Sequence, residues 1–209
     1  MKKRILSCIM IAVMLITLTA CGGKTEDKAP AMGTFDSGSL VYTNEFLGVR
    51  CQLEEKWDVF DTDQMSELQG LSANYTNDEE LKKLLDDEGS AQLFYAQADA
   101  GLQTLNIAVE DLGKVYGKLI NEKQYAELSL EQVEPALEGV GFSVVSADIT
   151  SIDFAGDTHT AIVIHGQLQE LDFYEVLVCV KVDKYMALVT AGSYDTDVTG
   201  DTLDMFSSL

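Results

Sequence analysis

The stretch at residues 172–189, DFYEVLVCVKVDKYMALV, decides the fold. It contains two continuous apolar runs, at residues 176–180 and 186–189, separated by a short, more polar segment. Runs of this length are typical of strands that are buried on both faces. Because the gap between them is short, the stretch predicts an antiparallel hairpin at the centre of a sheet that is covered on both sides.

The chain on either side of this hairpin alternates between strand and helix patterns. Besides strands at 172–183 and 185–192, the sequence predicts strands at residues 47–53, 93–98, 104–109, 142–154 and 158–168. It predicts helices at residues 61–69, 77–88 and 121–138, and a C-terminal helix marked by Leu203, Phe206 and Leu209. Pro135 is expected to kink or break the last turn of the third helix. The predicted fold is α+β, a mostly antiparallel sheet of about six or seven strands with helices packed on its faces.

The N-terminus has the layout of a lipoprotein signal. Lys2, Lys3 and Arg4 form a positive region, and residues 5–19 form an apolar stretch shorter than the roughly 20 residues that span a bilayer. The following Leu-Thr-Ala-Cys resembles a bacterial lipobox, whose cysteine receives a diacylglyceryl group. Residues 1–20 are therefore predicted to be a signal peptide and Cys21 the lipid attachment point. An ordinary secretory signal with an incidental cysteine is the alternative.

Residues 21–39 are predicted to be the lipidated N-terminus and a flexible tether. The segment 22–39, GGKTEDKAPAMGTFDSGS, is rich in glycine and polar residues and shows no hydrophobic periodicity. A single folded domain is predicted at residues 40–209, with no internal repeat and no second domain boundary.

The chain is strongly acidic. Its 35 Asp and Glu residues outnumber its 14 Lys and Arg residues, and the formal net charge is −21 at pH 7. Such a surface repels nucleic-acid phosphates and anionic lipid head groups, so no nucleic-acid partner is expected, whereas metal cations or a basic protein would be attracted. Solubility is the simpler explanation of the same charge.

Several segments of the predicted domain resemble a known family. The segment YTNEFLGV at 42–49, followed by Cys51, Leu53 and Trp57, is similar to the opening of the photosystem oxygen-evolving subunit P (PsbP-like) superfamily, although the family turn Pro-x-Gly-Trp is EEKW here. The segments GFSVVSADITSIDFAGDTHTAIVIHG and YMALVTAGS resemble lipoproteins of Gram-positive anaerobes built on the same module. The resemblance covers residues 40–209. It implies an α/β/α sandwich and a non-enzymatic accessory or binding role, with no specific ligand.

The stretch DTDVTGD, which begins at Asp195, matches the first half of a calcium-binding EF-hand loop. The second half does not match, because position 12 would be Phe206 where a glutamate is needed. Asp195, Asp197 and Asp201 are the candidate ligands of a divalent cation. The alternative is structural: Thr199 caps the last helix, and Asp201 lies in its first turn.

Candidates for catalytic chemistry are few. His159 and His165 share one face of a predicted strand but lie about 20 Å apart, so they cannot bind one metal ion. Cys51 and Cys179 lie among apolar residues and are predicted to be buried as small hydrophobic side chains, with a disulfide as the alternative. A dyad of Cys179 and His159 is disfavoured, because the two would be diagonal neighbours at best. The sequence contains no nucleophile elbow, phosphate-binding loop or zinc-protease motif, and no cofactor is expected.

These features predict a lipid-anchored extracytoplasmic accessory or binding protein without catalytic activity, at the outer face of a bacterial cell membrane. Its partner would be a surface protein or a small ligand, and its oligomeric state stays open. One alternative is the capture of divalent cations by acidic residues. A second alternative is a hydrolase that uses paired carboxylates, which are plentiful in the chain.

Overall fold

The computed structural model of the chain describes residues 28–69, Tyr75 and residues 77–209. The predicted signal peptide at 1–20, Cys21 and the start of the predicted tether lie outside these residues. The described chain is α+β with two antiparallel sheets, which confirms the predicted fold class. None of the helices in these ranges is long and apolar enough to cross a membrane.

The strands of the described residues form a large and a small sheet. In chain order the elements are β1 (Thr34–Asp36), β2 (Val41–Asn44), β3 (Val49–Gln52), β4 (Asp58–Val59), α1 (Thr62–Gln69), α2 (Asp78–Glu88), β5 (Ser90–Ala98), β6 (Gln103–Asp111), α3 (Gly113–Leu119), α4 (Glu122–Gly139), β7 (Phe142–Phe154), β8 (Asp157–Leu168), β9 (Leu171–Val182), β10 (Tyr185–Tyr194), α5 (Thr199–Leu203) and β11 (Phe206–Ser208). The large sheet has the order β4-β5-β6-β10-β9-β8-β7, and the small sheet has the order β1-β2-β3-β11.

The hairpin of β9 and β10 lies at the centre of the large sheet, as its apolar runs predict. All ten residues of β10 are buried, and β10 pairs with β6 on one side and with β9 on the other. Helix α4 covers one face of the large sheet. The small sheet and α2 together cover the other face. The sequence predicts that only helices cover this face of the large sheet, whereas in the structure the small sheet covers part of it.

Helix α4 is the longest described helix. It begins at a capping box in which Asn121 and Gln124 satisfy each other's backbone N–H groups. It continues past Pro135 to Gly139, so Pro135 does not break the helix, and the predicted kink stays a prediction. Leu137, two residues after the proline, is buried against the large sheet, and this contact holds the last turn in place.

The predicted tether is wrong for residues 28–39, which belong to the folded domain. β1 pairs with β2, and Tyr42 Oη donates a hydrogen bond to the Met32 carbonyl at 2.7 Å. Gly33 has a φ of +79°, and a Cβ atom there would lie 2.5 Å from the Thr43 carbonyl oxygen. Gly33 resembles a linker residue in the sequence, but it is required here because two backbone segments approach too closely for any side chain. A three-residue strand shows no periodicity from which this boundary could be predicted.

The predicted C-terminal helix is wrong beyond Leu203. Helix α5 ends there, and β11 pairs with β3, with Phe206 opposite Cys51. Phe206 also packs against Phe154, with ring centroids 5.0 Å apart. Apolar residues three positions apart fit a helix, but the pairing with β3 completes the small sheet and outweighs that local pattern.

Helix α3 packs closely against the turn between β9 and β10. A Cβ atom at Gly117 would lie 2.6 Å from Lys184 Cα. We expect Gly117→Ala to lower the free energy of unfolding by about 1–3 kcal/mol, because the helix must move away from the turn. Gly139→Ala is the matched control, since nothing lies within 4 Å of its Cβ position and no loss of stability is expected. Urea denaturation measures both variants, and equal midpoints would contradict the close packing.

Candidate functional site

A row of polar side chains crosses the face of the large sheet that α4 covers. Asn106 on β6 lies directly opposite Tyr95 on β5 and Thr190 on β10. All three residues are buried. Because side chains alternate along a strand, Thr190 shares its face with Met186 and Leu188, which belong to the apolar core beneath α4. Polar groups thus lie within an otherwise apolar layer.

Glu175 on β9 adds a carboxyl group to this row. It is 1% exposed and lies opposite Gly192 on β10. Gly192 has no side chain to fill the space between Thr190 and Tyr194, which flank it on the same face. Diagonal neighbours of this kind are about 7–8 Å apart, within reach of long side chains. We term Asn106, Glu175, Thr190 and Tyr194 the Glu175 cluster.

Each member of the Glu175 cluster has one buried polar atom without a hydrogen-bond partner in the described part of the chain. These atoms are Asn106 Oδ1, Glu175 Oε2, Thr190 Oγ1 and Tyr194 Oη. A buried polar group left unpartnered costs about 1–3 kcal/mol, and native structures contain few of them. Such a concentration on one face of one sheet is expected where a polar ligand or buried water completes the hydrogen bonds.

The electrostatics of the Glu175 cluster favour a cation. Burial raises the pKa of the Glu175 carboxyl to about 8, so the carboxyl holds its proton at pH 7. Burial also raises the pKa of Tyr194, with smaller contributions from Glu175 and Tyr95. The cluster offers oxygen atoms as acceptors and no positive charge. A cation placed among them would lower the Glu175 pKa and expel its proton.

A second buried carboxyl, Glu110, belongs to a separate site. Tyr125 Oη on α4 donates to Glu110 Oε2 at 2.6 Å, and burial raises the pKa of Glu110 to about 7 despite this bond. Glu110 on β6 pairs with Met186 of β10, and Glu175 on β9 pairs with Gly192 of β10. Met186 and Gly192 are six residues apart, so the two carboxyls are separated by about 20 Å along the strand direction. Hydrolysis by paired carboxylates needs a separation of roughly 5–10 Å, so Glu110 and Glu175 do not form such a pair.

The carboxylate of Glu122 joins α4 to two strands where their pairing ends. The β8–β9 ladder ends at Thr160 opposite Cys179. Beside this point, Glu122 accepts hydrogen bonds from the backbone N–H groups of Thr160 and Lys181 at 3.1 and 3.0 Å, and His159 Nδ1 lies 2.9 Å from its Oε1. Burial alone would raise the pKa of Glu122, but these bonds outweigh it and hold the pKa below its usual value. The bond to Glu122 also raises the pKa of His159.

The two histidines of β8 have separate partners. His165 Nε2 lies 2.9 Å from Asp172 Oδ1, and its ring stacks on Tyr174 with centroids 4.7 Å apart. His159 is held by Glu122 instead. The histidines therefore do not share a binding site, as their spacing predicts.

Cys51 and Cys179 are free thiols on opposite sides of the large sheet. Each is 0% exposed, which confirms the predicted burial as hydrophobic side chains and makes the disulfide alternative wrong. Burial raises the pKa of both thiols to about 12. His159 is hydrogen-bonded to the backbone of Cys179, so it is not placed as a base for the thiol. Neither cysteine is activated as a nucleophile.

The three aspartates of the predicted half-loop lie exposed near the start of α5. Asp197 Oδ1 accepts hydrogen bonds from the N–H and Oγ1 groups of Thr199, at 3.1 and 2.7 Å. Val198 is the N-cap, so the expected cap by Thr199 is wrong. Asp195 and Asp201 do not join Asp197 as ligands: within residues 28–69, 75 and 77–209, no group of three or more His, Cys, Asp or Glu side chains could hold a metal ion.

The sequence patterns do not predict the Glu175 cluster. Its members are spread over β6, β9 and β10, and each polar residue resembles an exposed position of a half-buried strand. Two signals were present in the sequence. Glu175 directly precedes the apolar run 176–180, and Gly192 interrupts a predicted buried strand. A glycine in a strand indicates a place where another group comes close, and Glu175 lies opposite Gly192 in the ladder.

We expect Glu175→Gln to change how stability depends on pH. Folded Glu175 holds its proton up to about pH 8, whereas the ordinary carboxyl pKa is 4.5. Wild-type stability should therefore fall as pH rises between these values, by up to about 1.4 kcal/mol per pH unit, and the variant should lack this slope. Denaturation across this pH range measures the effect. The control is Glu110→Gln. Because the pKa of folded Glu110 is about 7, this variant should remove the fall in stability only between pH 4.5 and about 7. An unchanged slope between pH 7 and 8 in Glu175→Gln would contradict the raised pKa.

The pair of Glu122 and His159 should stabilise the fold in a defined pH window. Ionised Glu122 contributes above pH 4.5, and the contribution is lost as pH falls through its lowered folded pKa. Charged His159 contributes below pH 6.5, and the contribution is lost as pH rises through its raised folded pKa. Because the pair is partly exposed, Glu122→Gln should lower the free energy of unfolding by only about 1–2 kcal/mol, most strongly inside this window.

The control for Glu122→Gln is Asp172→Asn, which removes the carboxylate from the more exposed pair with His165. A much smaller change is expected there, because solvent screens the charges. Thermal unfolding at several pH values compares the two variants. If Glu122→Gln costs the same stability at every pH, the charge of His159 has no part in the effect.

Comparison with protein-family models and with curated proteins gives no function to carry over. No protein-family model matches the chain, and no curated protein matches it. The resemblance to the PsbP-like superfamily therefore stays a prediction. The Glu175 cluster and the predicted N-terminal lipobox are the features from which a function is proposed.

Proposed function

We propose that the protein is a lipid-anchored extracytoplasmic binding protein, held at the outer face of the cell membrane through Cys21. Its ligand is a small organic cation with several N–H donors, such as an amine, and the Glu175 cluster is the binding site. The observation that carries this proposal is the set of unpartnered oxygen atoms on Asn106, Glu175, Thr190 and Tyr194. The lipobox and positive N-terminal region support the anchor.

The chemistry of the Glu175 cluster supports a cationic ligand over an anionic one. Its unpartnered atoms are oxygens, which accept hydrogen bonds from an ammonium group. An ammonium ion presents its donors on a compact charge and pairs with an ionised carboxylate. Glu175 is neutral without a cation, so the empty site carries no unpaired buried charge, and it becomes ionised when the ligand arrives.

Binding is favoured over catalysis by the placement of the reactive groups. The two carboxyls with raised pKa values lie on different parts of the sheet, and both thiols are buried with raised pKa values. The members of the Glu175 cluster are each at most 4% exposed. Ligand exchange therefore requires local opening of the layer above the sheet, which favours slow exchange over rapid turnover.

Calorimetric titration of the protein with methylammonium and putrescine tests the proposal. At pH 7 we expect saturable binding with the release of up to about one proton per ligand, because Glu175 ionises. Comparing buffers of different ionisation enthalpy measures that proton. Glu175→Gln should weaken binding at least about tenfold and abolish the proton release.

Glu110→Gln is the matched control, because Glu110 is also a buried carboxyl with a raised pKa but lies outside the Glu175 cluster. It should keep both the affinity and the proton release. The absence of saturable binding for either amine would overturn the proposed ligand class. Binding that releases no proton, or that survives Glu175→Gln unchanged, would overturn the proposed site.

A further inference from the structure

The described chain begins at one end of the large sheet. The backbone N–H of Lys28 donates to Asp183 Oδ2 at 2.9 Å, and its Nζ atom donates to the carbonyls of Glu45 and Phe46 at 2.7 and 2.9 Å. Asp183 lies in the turn between β9 and β10. Cys21 precedes Lys28 by only seven residues, which span at most about 25 Å. On the proposed function, a lipid on Cys21 therefore places this end of the sheet close to the bilayer.

Helix α3 lies at the same end of the large sheet. Gly117 packs against Lys184 in the β9–β10 turn so closely that a Cβ atom would lie 2.6 Å from Lys184 Cα. Lys181 Nζ donates to the Gly117 carbonyl at 2.8 Å. The helix thus turns its glycine side towards the domain, and its opposite side points away from it.

The outward side of α3 is apolar. Val115, Tyr116 and Leu119 are 64%, 45% and 67% exposed. Val115 and Leu119 are four positions apart and so share one face of the helix, with Tyr116 beside them. A group of exposed apolar side chains on one short helix is the kind of surface that marks a contact with a membrane or a partner.

Two lysines lie along one edge of this apolar side in an otherwise acidic protein. Lys114 and Lys118 lie on α3 itself, and in the described ranges neither forms an ion pair. Of the nearby carboxylates, Asp111 pairs with Lys184 Nζ, and Asp183 lies close enough to Lys181 to interact with its charge. Charges beyond about 8–10 Å are screened at physiological salt, so a lipid surface in contact with α3 meets a locally positive region.

We propose that α3 docks onto the outer leaflet of the membrane that holds Cys21. Val115, Tyr116 and Leu119 enter the boundary between head groups and acyl chains, while Lys114 and Lys118 extend to anionic lipid phosphates. The inference rests on the lipid anchor of the proposed function and is independent of the Glu175 cluster. The lipid chain holds the protein at the membrane, and α3 fixes which end of the domain faces it.

A second copy of the chain fits this surface less well than a bilayer does. The exposed apolar surface consists of three side chains on a seven-residue helix. A stable protein interface needs about 800 Å² from each partner, which three side chains do not supply. In a symmetric contact between two copies, Lys114 and Lys118 of one copy would also lie close to those of the other and repel them.

Spin labels on the lipidated protein, which begins at Cys21 and lacks Cys8 of the signal peptide, test the docking in vesicles of phosphatidylcholine and phosphatidylglycerol. Leu119→Cys carries the test label, and Val145→Cys on β7 carries the control label, since Val145 is also an exposed apolar residue, at 57%. Val145 lies near the opposite end of the sheet, beside the β8 residues that pair with the start of β9. Cys51 and Cys179 are 0% exposed and will not react with the label.

We expect the label at 119 to be accessible to oxygen and protected several-fold from a water-soluble nickel complex relative to the label at 145. Equal nickel access at both positions would overturn the docking. Spin–spin broadening at 119 would indicate a second copy and would also overturn it. The mass of the purified protein reports lipidation separately. A chain without the diacylglyceryl mass would overturn the anchor and the docking together, whereas a lipidated chain with a water-exposed label at 119 would overturn the docking alone.

Discussion

Burial of both faces of β10 is the constraint on which the rest of the structure depends. A strand whose ten residues are all buried needs a complete layer on each side. Helix α4 supplies one layer. The small sheet and α2 supply the other, and the small sheet needs β1 and β11 from opposite ends of the described chain. Both ends are therefore held in the fold by the requirement to cover its centre.

The elements that the sequence predicts well are those with strong local patterns. The apolar runs at 176–180 and 186–189 indicate the central hairpin, and Asn77 and Asn121 begin helices α2 and α4 as capping residues. The three-residue strands β1 and β11 could not be predicted, because each forms only through pairing with a strand distant in sequence. Phe206 has helical spacing from Leu203 but pairs with β3, so tertiary pairing overrides the local pattern.

The candidate site could not be predicted for a related physical reason. Whether a polar residue on a strand is exposed depends on what covers that face, and the covering layer is far away in sequence. In the sequence, Asn106 and Thr190 resemble solvent-facing positions. They become buried only because β6 and β10 pair with each other and α4 covers this face of the sheet. The three aspartates near α5 show the opposite error: a suggestive spacing in sequence does not bring ligands together in space.

The Glu175 cluster carries a cost that a purely structural core would avoid. Each unpartnered buried group lowers the free energy of unfolding by about 1–3 kcal/mol, and the free energy of unfolding of a whole domain is only about 5–15 kcal/mol.

The Glu175 cluster lies far from the proposed membrane contact. Glu175 is about 25 Å from the β9–β10 turn, measured along β9. If α3 faces the lipid, the cluster lies in the half of the domain that is directed away from it.

The two cysteines lie in different core layers, on opposite sides of the large sheet. The reactivity of each thiol therefore reports whether the layer that covers it has opened. Cys51 lies on β3, in the core between the small and the large sheet, and Cys179 lies on β9 beneath α4. A thiol reagent in solution can reach each sulfur only when the layer above it detaches. Unequal rates of modification would therefore separate the loosening of one layer from global unfolding, and equal rates would show that the two layers open as one cooperative unit.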